Sequence, residues 1–318
     1  MSNKKIKAIF IGTPDFGIPA LCALIDDKNF DVAGVVTQPD KKIGRKQVIS
    51  CPACKLEAQK CKIPVWQPDS IKSFDFPVVD IDLIIVAAYA QIIPKKILEM
   101  PKYGCINIHG SLLPKYRGAS CIQAAIINGD VETGVTIIKM NEGLDTGDIL
   151  AQEKIKIEKN DTTGTLFGKI SQLGGKLLIP TLKKYIQGEI KSVPQNNSRA
   201  SYVGMLSKKD GHIDWTKSAI EIERFVRAMN PWPSAYAQIK NEKSKVKSQL
   251  VKIIGVDNNI IKINKYKPGE LFLHNNELAI QCGTNSLNIK KIQLGGKKPL
   301  NSNVFLQGNS NLIGKVLN

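Results

Sequence analysis

Histidine is scarce in this chain: there are three in 318 residues, and His109 alone precedes residue 200. Arginine is nearly as rare, 5 residues against 40 lysines. Long apolar runs are missing too. The longest, "LIIVAAYA" at 83–90, is far short of the roughly 20 residues a membrane-spanning helix needs. The N-terminal "MSNKKIKAIFIG" passes from a few lysines straight into an apolar strand, with no A-x-A cleavage pattern behind it. The chain therefore reads as cytoplasmic, without a membrane partner.

Nor do seven cysteines, an odd number in a chain read as cytoplasmic, suggest a disulfide framework. "CPAC" at 51–54 has Cys61 behind it but lacks the second ligand pair that a structural zinc site needs. It reads as small residues opening a helix at Pro52, with no metal expected. Two nucleotide signatures are missing as well. No G-x-x-x-x-G-K-[ST] occurs, and "GTPDFG" after the first strand is not G-x-G-x-x-G.

What remains is 42% hydrophobic and 23% charged, the balance of a globular protein long enough for two cores. The first half alternates apolar strands ("IKAIFIG", "DVAGVVT", "DLIIVAAY", "GCINIHG") with helical stretches. This spacing predicts an α/β domain with a Rossmann-like, mostly parallel sheet and helices on both faces. Two further strands, "GVTIIKM" and "DILAQEKIKI", bracket the loop "NEGLDTGD", and a long helix follows. Beyond a polar stretch at 191–208, "SAIEIERFVRAMNPWP" predicts a short amphipathic helix stopped by prolines. The short alternating strands "QLVKIIGV", "NIIKIN", "ELAIQC" and "SLNIKKIQL" then predict a small antiparallel barrel.

Charge separates the halves. Residues 1–190 hold 25 basic and 20 acidic side chains, and residues 191–318 hold 20 and 8. An excess confined to the second half points to a polyanionic partner there.

The chemistry-bearing residues converge on one strand end. Asn107 and His109 are two apart in "CINIHG", so a strand turns both to the same face. The strand's carboxyl end is where ligands gather in parallel sheets. Asp145 in "GLDTGD" is the best-placed carboxylate to complete them. An amide donor and an imidazolium can hold the oxyanion of a tetrahedral intermediate while a carboxylate orients the imidazole. No serine or cysteine stands out as an activated nucleophile, which favours direct transfer.

"NIHGSLLPKYRGA" followed by "GDVETGVTIIKMNEGLDTGDIL" resembles the signature of 10-formyltetrahydrofolate-dependent formyltransferases. "GTPDF", "VVTQPDKKIGR", "HIDW", "RAMNPWP" and "QLGGKKPL" extend the resemblance, end to end, to the branch acting on methionyl-tRNA. The resemblance implies that Asn107, His109 and Asp145 are the catalytic trio. Ser111, Leu112, Leu113 and Pro114 would belong to the folate-binding segment, and Tyr89, Ala90, Gln91 and Ile92 to a wall of the pterin pocket. Arg45, helped by Lys41 and Lys42, would engage the acceptor arm of methionyl initiator tRNA.

It also implies a catalytic domain over 1–190, a linker over 191–208 and an OB-like tRNA-binding domain over 209–318. A monomer with no obligate protein partner is expected. Two departures stand out: the family's "GRGKK" is "GRKQV" here, and Ala90 occupies a position that is usually glycine. An amino-sugar nucleotide is the alternative formyl acceptor, since enzymes acting on such sugars share a similar second domain but lack the basic Gly-Arg loop.

Overall fold

The computed structural model describes residues 5–43, 47–239 and 248–318. These fall into two compact units. The first holds the described residues of Met1–Cys121 with Glu132–Lys156 and Phe167–Gly204. The second holds Ile122–Val131, Ile157–Leu166 and the described residues of Met205–Asn318.

In chain order the first fourteen elements are β1 (Ile6–Gly12), α1 (Ile18–Asp26), β2 (Phe30–Val36), β3 (Lys41–Ile43), β4 (Val48–Ser50), α2 (Ala53–Lys60), β5 (Val65–Trp66), β6 (Leu83–Ala87), α3 (Lys95–Leu98), β7 (Cys105–His109), α4 (Cys121–Ile127), β8 (Glu132–Lys139), β9 (Asp148–Lys156) and α5 (Thr163–Ile186). Seven of the strands form one sheet in the order β5-β2-β1-β6-β7-β8-β9. Pairing is parallel from β5 to β7 and antiparallel for β8 and β9.

Strands β6 and β7 are buried along their whole length, as expected of central strands covered on both faces. Two short elements carry no strong sequence signal. The ribbon β3–β4 pairs Lys41 with Ser50, and β5 adds two residues to the sheet edge. Pro52 sits just outside α2 as its N-cap rather than as its first helical residue.

The second unit contains α6 (Ala219–Ala228), β10 (Ala235–Ile239), β11 (Gln249–Val256), β12 (Leu271–His274), β13 (Glu277–Gln281), β14 (Ser286–Leu294), β15 (Leu300–Asn301) and α7 (Ser302–Asn309). Helix α6 starts at a capping box in which Ser218 and Glu221 satisfy each other's backbone. Its inward face (Ala219, Ile222, Val226) joins a core with Val251, Ile253, Leu287 and Phe305. The antiparallel sheet runs β10-β11-β14-β13-β12. The C-terminal residues close it: Gln238 and Asn318 exchange N–H···O bonds of 2.8 Å, and Leu317 donates to Gly269 at 2.8 Å. Both sheet edges thus find partners, which gives the barrel its closure.

One expected strand is absent. "NIIKIN" pairs with the sheet backbone at an isolated Ile261–Ser286 bridge, and the side chains of Ser286 and Gln281 donate to its Ile263 carbonyl at 3.0 and 3.2 Å. Ile263 donates to the Ile261 carbonyl instead, at 2.9 Å, so the chain turns there and the apolar alternation does not extend into a ladder.

In the first unit, α5 lies very close to its neighbours. A Cβ at Gly175 would stand 2.7 to 2.9 Å from Pro19 atoms, two of them backbone, whereas Gly168 in the same helix has open space. Gly168→Ala is expected to gain about 0.5–1 kcal/mol from helix propensity. Gly175→Ala is expected to lose about 1–2 kcal/mol net, because overpacking outweighs that gain. Urea denaturation of the two variants beside wild type checks both signs.

Candidate active site

β7 is hydrogen-bonded between β6 and β8, and register fixes which side chains share a face. Asn107 pairs with Val86 and Ile138, and His109 pairs with Thr136. Both are more than nine-tenths buried, so neither is a casual surface polar group.

The loop between β8 and β9 carries Asp145 to them. Asn141 organises that loop, its side-chain oxygen accepting from Gly143 N–H at 3.1 Å and from the Thr146 hydroxyl at 2.7 Å. Asp145 adopts φ +51°, a left-handed conformation that aspartate tolerates better than most side chains. Its Oδ1 accepts from Asn107 Nδ2 at 3.3 Å, and its Oδ2 accepts from Gly118 N–H at 2.8 Å. Oδ2 also lies 3.5 Å from His109 Nδ1. The three expected residues therefore meet at one point. Gly118 is a fourth participant that reasoning from sequence passed over. It has φ +103°, and any Cβ there would overlap the Val203 carbonyl oxygen. Its signal was the "RG" pair before a helix.

His109 Nε2 donates to the Tyr116 carbonyl at 2.9 Å. With Nδ1 facing Asp145, both ring nitrogens are turned toward protein oxygens, which suits the doubly protonated ring. Burial by itself would lower the His109 pKa. The Cys121 sulfur, the Asp145 carboxylate and the Tyr116 carbonyl outweigh it, and the pKa is pushed up to about 9.

The other expected residues divide in their placement. Ser111 is fully buried and donates to the Lys115 carbonyl at 2.6 Å. Leu113 N–H donates to Thr136 Oγ1 at 3.0 Å, and the Leu113 carbonyl accepts from Gln152 Nε2 at 2.8 Å. Leu112 and Pro114 are half-buried beside them. "SLLP" is thus a rigid loop tied to β8 and β9, and any ligand contact it makes comes from the surface it presents.

After β6, Ala88 and Ala90 both have positive φ, +50° and +63°, on either side of buried Tyr89. A left-handed residue at 90 accounts physically for a preference for glycine there. Gln91 spends its side chain inside the protein, accepting from Ile71 N–H at 2.9 Å and donating to the Asp69 carbonyl at 3.2 Å. Ile92 is exposed. Lys41 and Lys42 stand exposed on β3, and Arg45 lies outside the described residues.

Cys54 is buried under Pro14, with its thiol pushed up to about 12 chiefly by that burial. Cys51 lies 3.5 Å from Asp40, and Cys61 is exposed.

Residues 4–182 match the formyl transferase family model, and residues 205–310 match the model for the formyl transferase C-terminal domain. The chain belongs to the formyl transferase family. A methionyl-tRNA formyltransferase of Agathobacter rectalis is 44% identical over 95% of this chain and 96% of its own length. One from Lachnospira eligens is 43% identical, covering 98% and 99%.

Solved structures share the fold at lower identity. An N-formyltransferase of Helicobacter canadensis, solved with folinic acid and dTDP-3-aminofucose, has a TM-score of 0.63 at 21% identity, covering 89% of this chain and 99% of that one. HypX of Aquifex aeolicus, solved with tetrahydrofolic acid, has a TM-score of 0.58 at 18% identity, covering 94% of this chain and 46% of that one. With this family membership, the barrel of the second unit is the formyl transferase C-terminal domain, and the strand-end trio lies inside the N-terminal match.

The His109 environment sets a pH dependence. The folded-state pKa is raised above the ordinary value of 6.5, so the imidazolium stabilises the fold fully below about pH 6.5. That contribution drains away as pH rises through about 9. An NMR titration of the ring should show its midpoint near 9, and a midpoint at 6.5 or below would contradict the geometry.

Proposed function

We propose that this formyl transferase moves the formyl group of 10-formyltetrahydrofolate to the α-amino group of methionyl initiator tRNA. The observation that carries the reading is the meeting of Asn107, His109 and Asp145 at the carboxyl end of β7. The near-full-length likeness to enzymes named for methionyl-tRNA supports the choice of acceptor.

The segment after β6 is assigned to the folate's flat heteroaromatic ring. Ile92 offers an exposed apolar surface there, and the Tyr89 hydroxyl is buried without a partner among the described residues. Tyr89 to Ile92 would form that wall, with Ser111 to Pro114 opposite as the loop that shapes the pocket.

The folate would supply an electrophilic formyl carbon: the methionyl amine forms the new C–N bond, the bond from that carbon to the folate nitrogen breaks, and tetrahydrofolate leaves with a proton in exchange for the one the amine gives up. Asn107 directs its amide N–H at the carbonyl oxygen where negative charge develops, in a strand end that excludes most water. His109, both of its N–H groups committed to protein oxygens, contributes its positive charge at short range. Asp145 keeps that charge in place and helps carry the amine's proton away. Residues 1–190 would hold this chemistry, 191–208 would act as a linker, and 209–318, with the basic excess, would bind the tRNA backbone. Arg45, Lys41 and Lys42 are assigned to the acceptor arm, and the enzyme works as a cytoplasmic monomer.

The direct test is incubation with 10-formyltetrahydrofolate and either methionyl-tRNA or a panel of amino-sugar nucleotides. Formylation of the tRNA is expected, and formylation of a sugar alone would overturn the reading. Removing the amide donor in Asn107→Ala should lower kcat by about 10²–10³ while tRNA affinity is retained. Arg45→Ala should instead weaken tRNA engagement and flatten its salt dependence by about one charge, with folate binding unchanged.

A further inference from the structure

Asp145 holds a left-handed backbone, and something must keep it there. The residue that does so is Gln195. Its Nε2 donates to the Asp145 carbonyl at 2.8 Å and to the Gly147 carbonyl at 2.6 Å, spanning the turn. Gln195 is oriented in turn by Arg117, whose Nε and Nη2 both donate to Gln195 Oε1, at 3.0 and 2.8 Å. This fork fixes which end of the Gln195 amide is oxygen, and so aims its nitrogen at the turn.

Arg117 is itself held firmly. It is 2% exposed, donates to Asn197 Oδ1 and Tyr202 Oη at 2.8 Å each, and lies under the Tyr202 ring. All four of these bonds go to neutral oxygens. The next residue, Gly118, donates its N–H to Asp145 Oδ2. The ring is therefore closed: Arg117 grips Asp145's main chain through Gln195 and its carboxylate through Gly118.

We propose that Arg117 and Gln195 are positioning residues for formyl transfer, a clamp that sets the Asp145 turn and so presents its carboxylate to Asn107 and His109. The proposal rests on the trio's assignment above. A merely structural role would need only that the buried guanidinium be satisfied. The clamp needs more, namely two N–H donors at the Asp145 and Gly147 carbonyls. Gln195→Glu separates the two, because a carboxylate pairs with Arg117 at least as well but cannot donate to the turn. A cavity of about 440 Å³ lined by Arg117, Gln195, Asn197 and Tyr202 opens a second route, admitting a small cation in place of a truncated Arg117.

The experiment compares Gln195→Glu, Gln195→Met and Arg117→Ala with wild type. It reads kcat and KM for formylation, the His109 titration by NMR, and thermal stability. The groups facing His109 are Asp145, Cys121 and the Tyr116 carbonyl, and of these only Asp145 is hydrogen-bonded to Gln195.

Both Gln195 variants should lose kcat ten- to a hundredfold, with KM for either substrate within threefold. The His109 midpoint should fall by one pH unit or more, and Gln195→Glu should melt within a few degrees of wild type. Millimolar guanidinium, but not equal sodium chloride, should restore Arg117→Ala. Wild-type kcat with an unmoved His109 midpoint in folded Gln195→Glu would overturn the clamp. If Arg117→Ala fails to fold, the Gln195 pair still decides. If wild type itself formylates neither substrate, it is the proposed function that fails, and the His109 midpoint, which needs no activity, still tests the clamp.

Discussion

The site depends on one carboxylate held in one place. Asp145 receives Gly118 N–H on one oxygen and Asn107 Nδ2 on the other, and it lies beside the His109 ring. A carboxylate with those donors is fixed beside the ring in a buried strand end. It thereby supports a positive ring that burial alone would neutralise. If the carboxylate turned away, Asn107 would lose its partner and His109 its counter-charge at the same moment. The arrangement is cooperative in the sense that Asn107 and His109 depend on one shared partner.

The sheet makes that convergence possible. Parallel pairing sets Asn107 and His109 along the carboxyl half of β7, and the β8 register sets Lys139, where the connecting loop leaves, opposite Ile106, so the loop reaches back along β7 to meet them. The approach of α5 through Gly175 and the tether of "SLLP" to Thr136 and Gln152 keep the surrounding backbone from yielding. Rigidity around a charged cluster matters because a drift of about 1 Å in such a site can cost a hundredfold in rate.

Much of this was legible in the chain itself. The two-residue spacing of Asn107 and His109 on an apolar strand, and an aspartate between glycines, carry their own geometric meaning. The parallel sheet followed from continuous apolar runs. What the sequence could not convey was contact between distant segments. Gln195 and Arg117 are 78 residues apart, and nothing local distinguishes a clamp glutamine from a surface one. The barrel's closing strand was hidden for the same reason, since "VLN" at the C-terminus is too short for periodicity to register. "NIIKIN" failed in the opposite direction: its alternation is real, but an Ile263-to-Ile261 hydrogen bond turns the chain before a ladder can form.

The scarcity of arginine then acquires a physical sense. Lysine supplies most of the positive charge, and a flexible ammonium is adequate wherever charge alone is needed. Arg117 is buried and Arg227 half-buried, and each uses the planar fork. Arg227 grips buried Glu223 along α6 while also donating to the Asp161 carbonyl at 2.9 Å. Arg117 grips a neutral glutamine instead. A neutral partner is the better choice beside Asp145: a second carboxylate there would repel the first and could not donate to the turn that holds it. The geometry thus favours an amide at position 195 over the acid that would pair more strongly with the guanidinium.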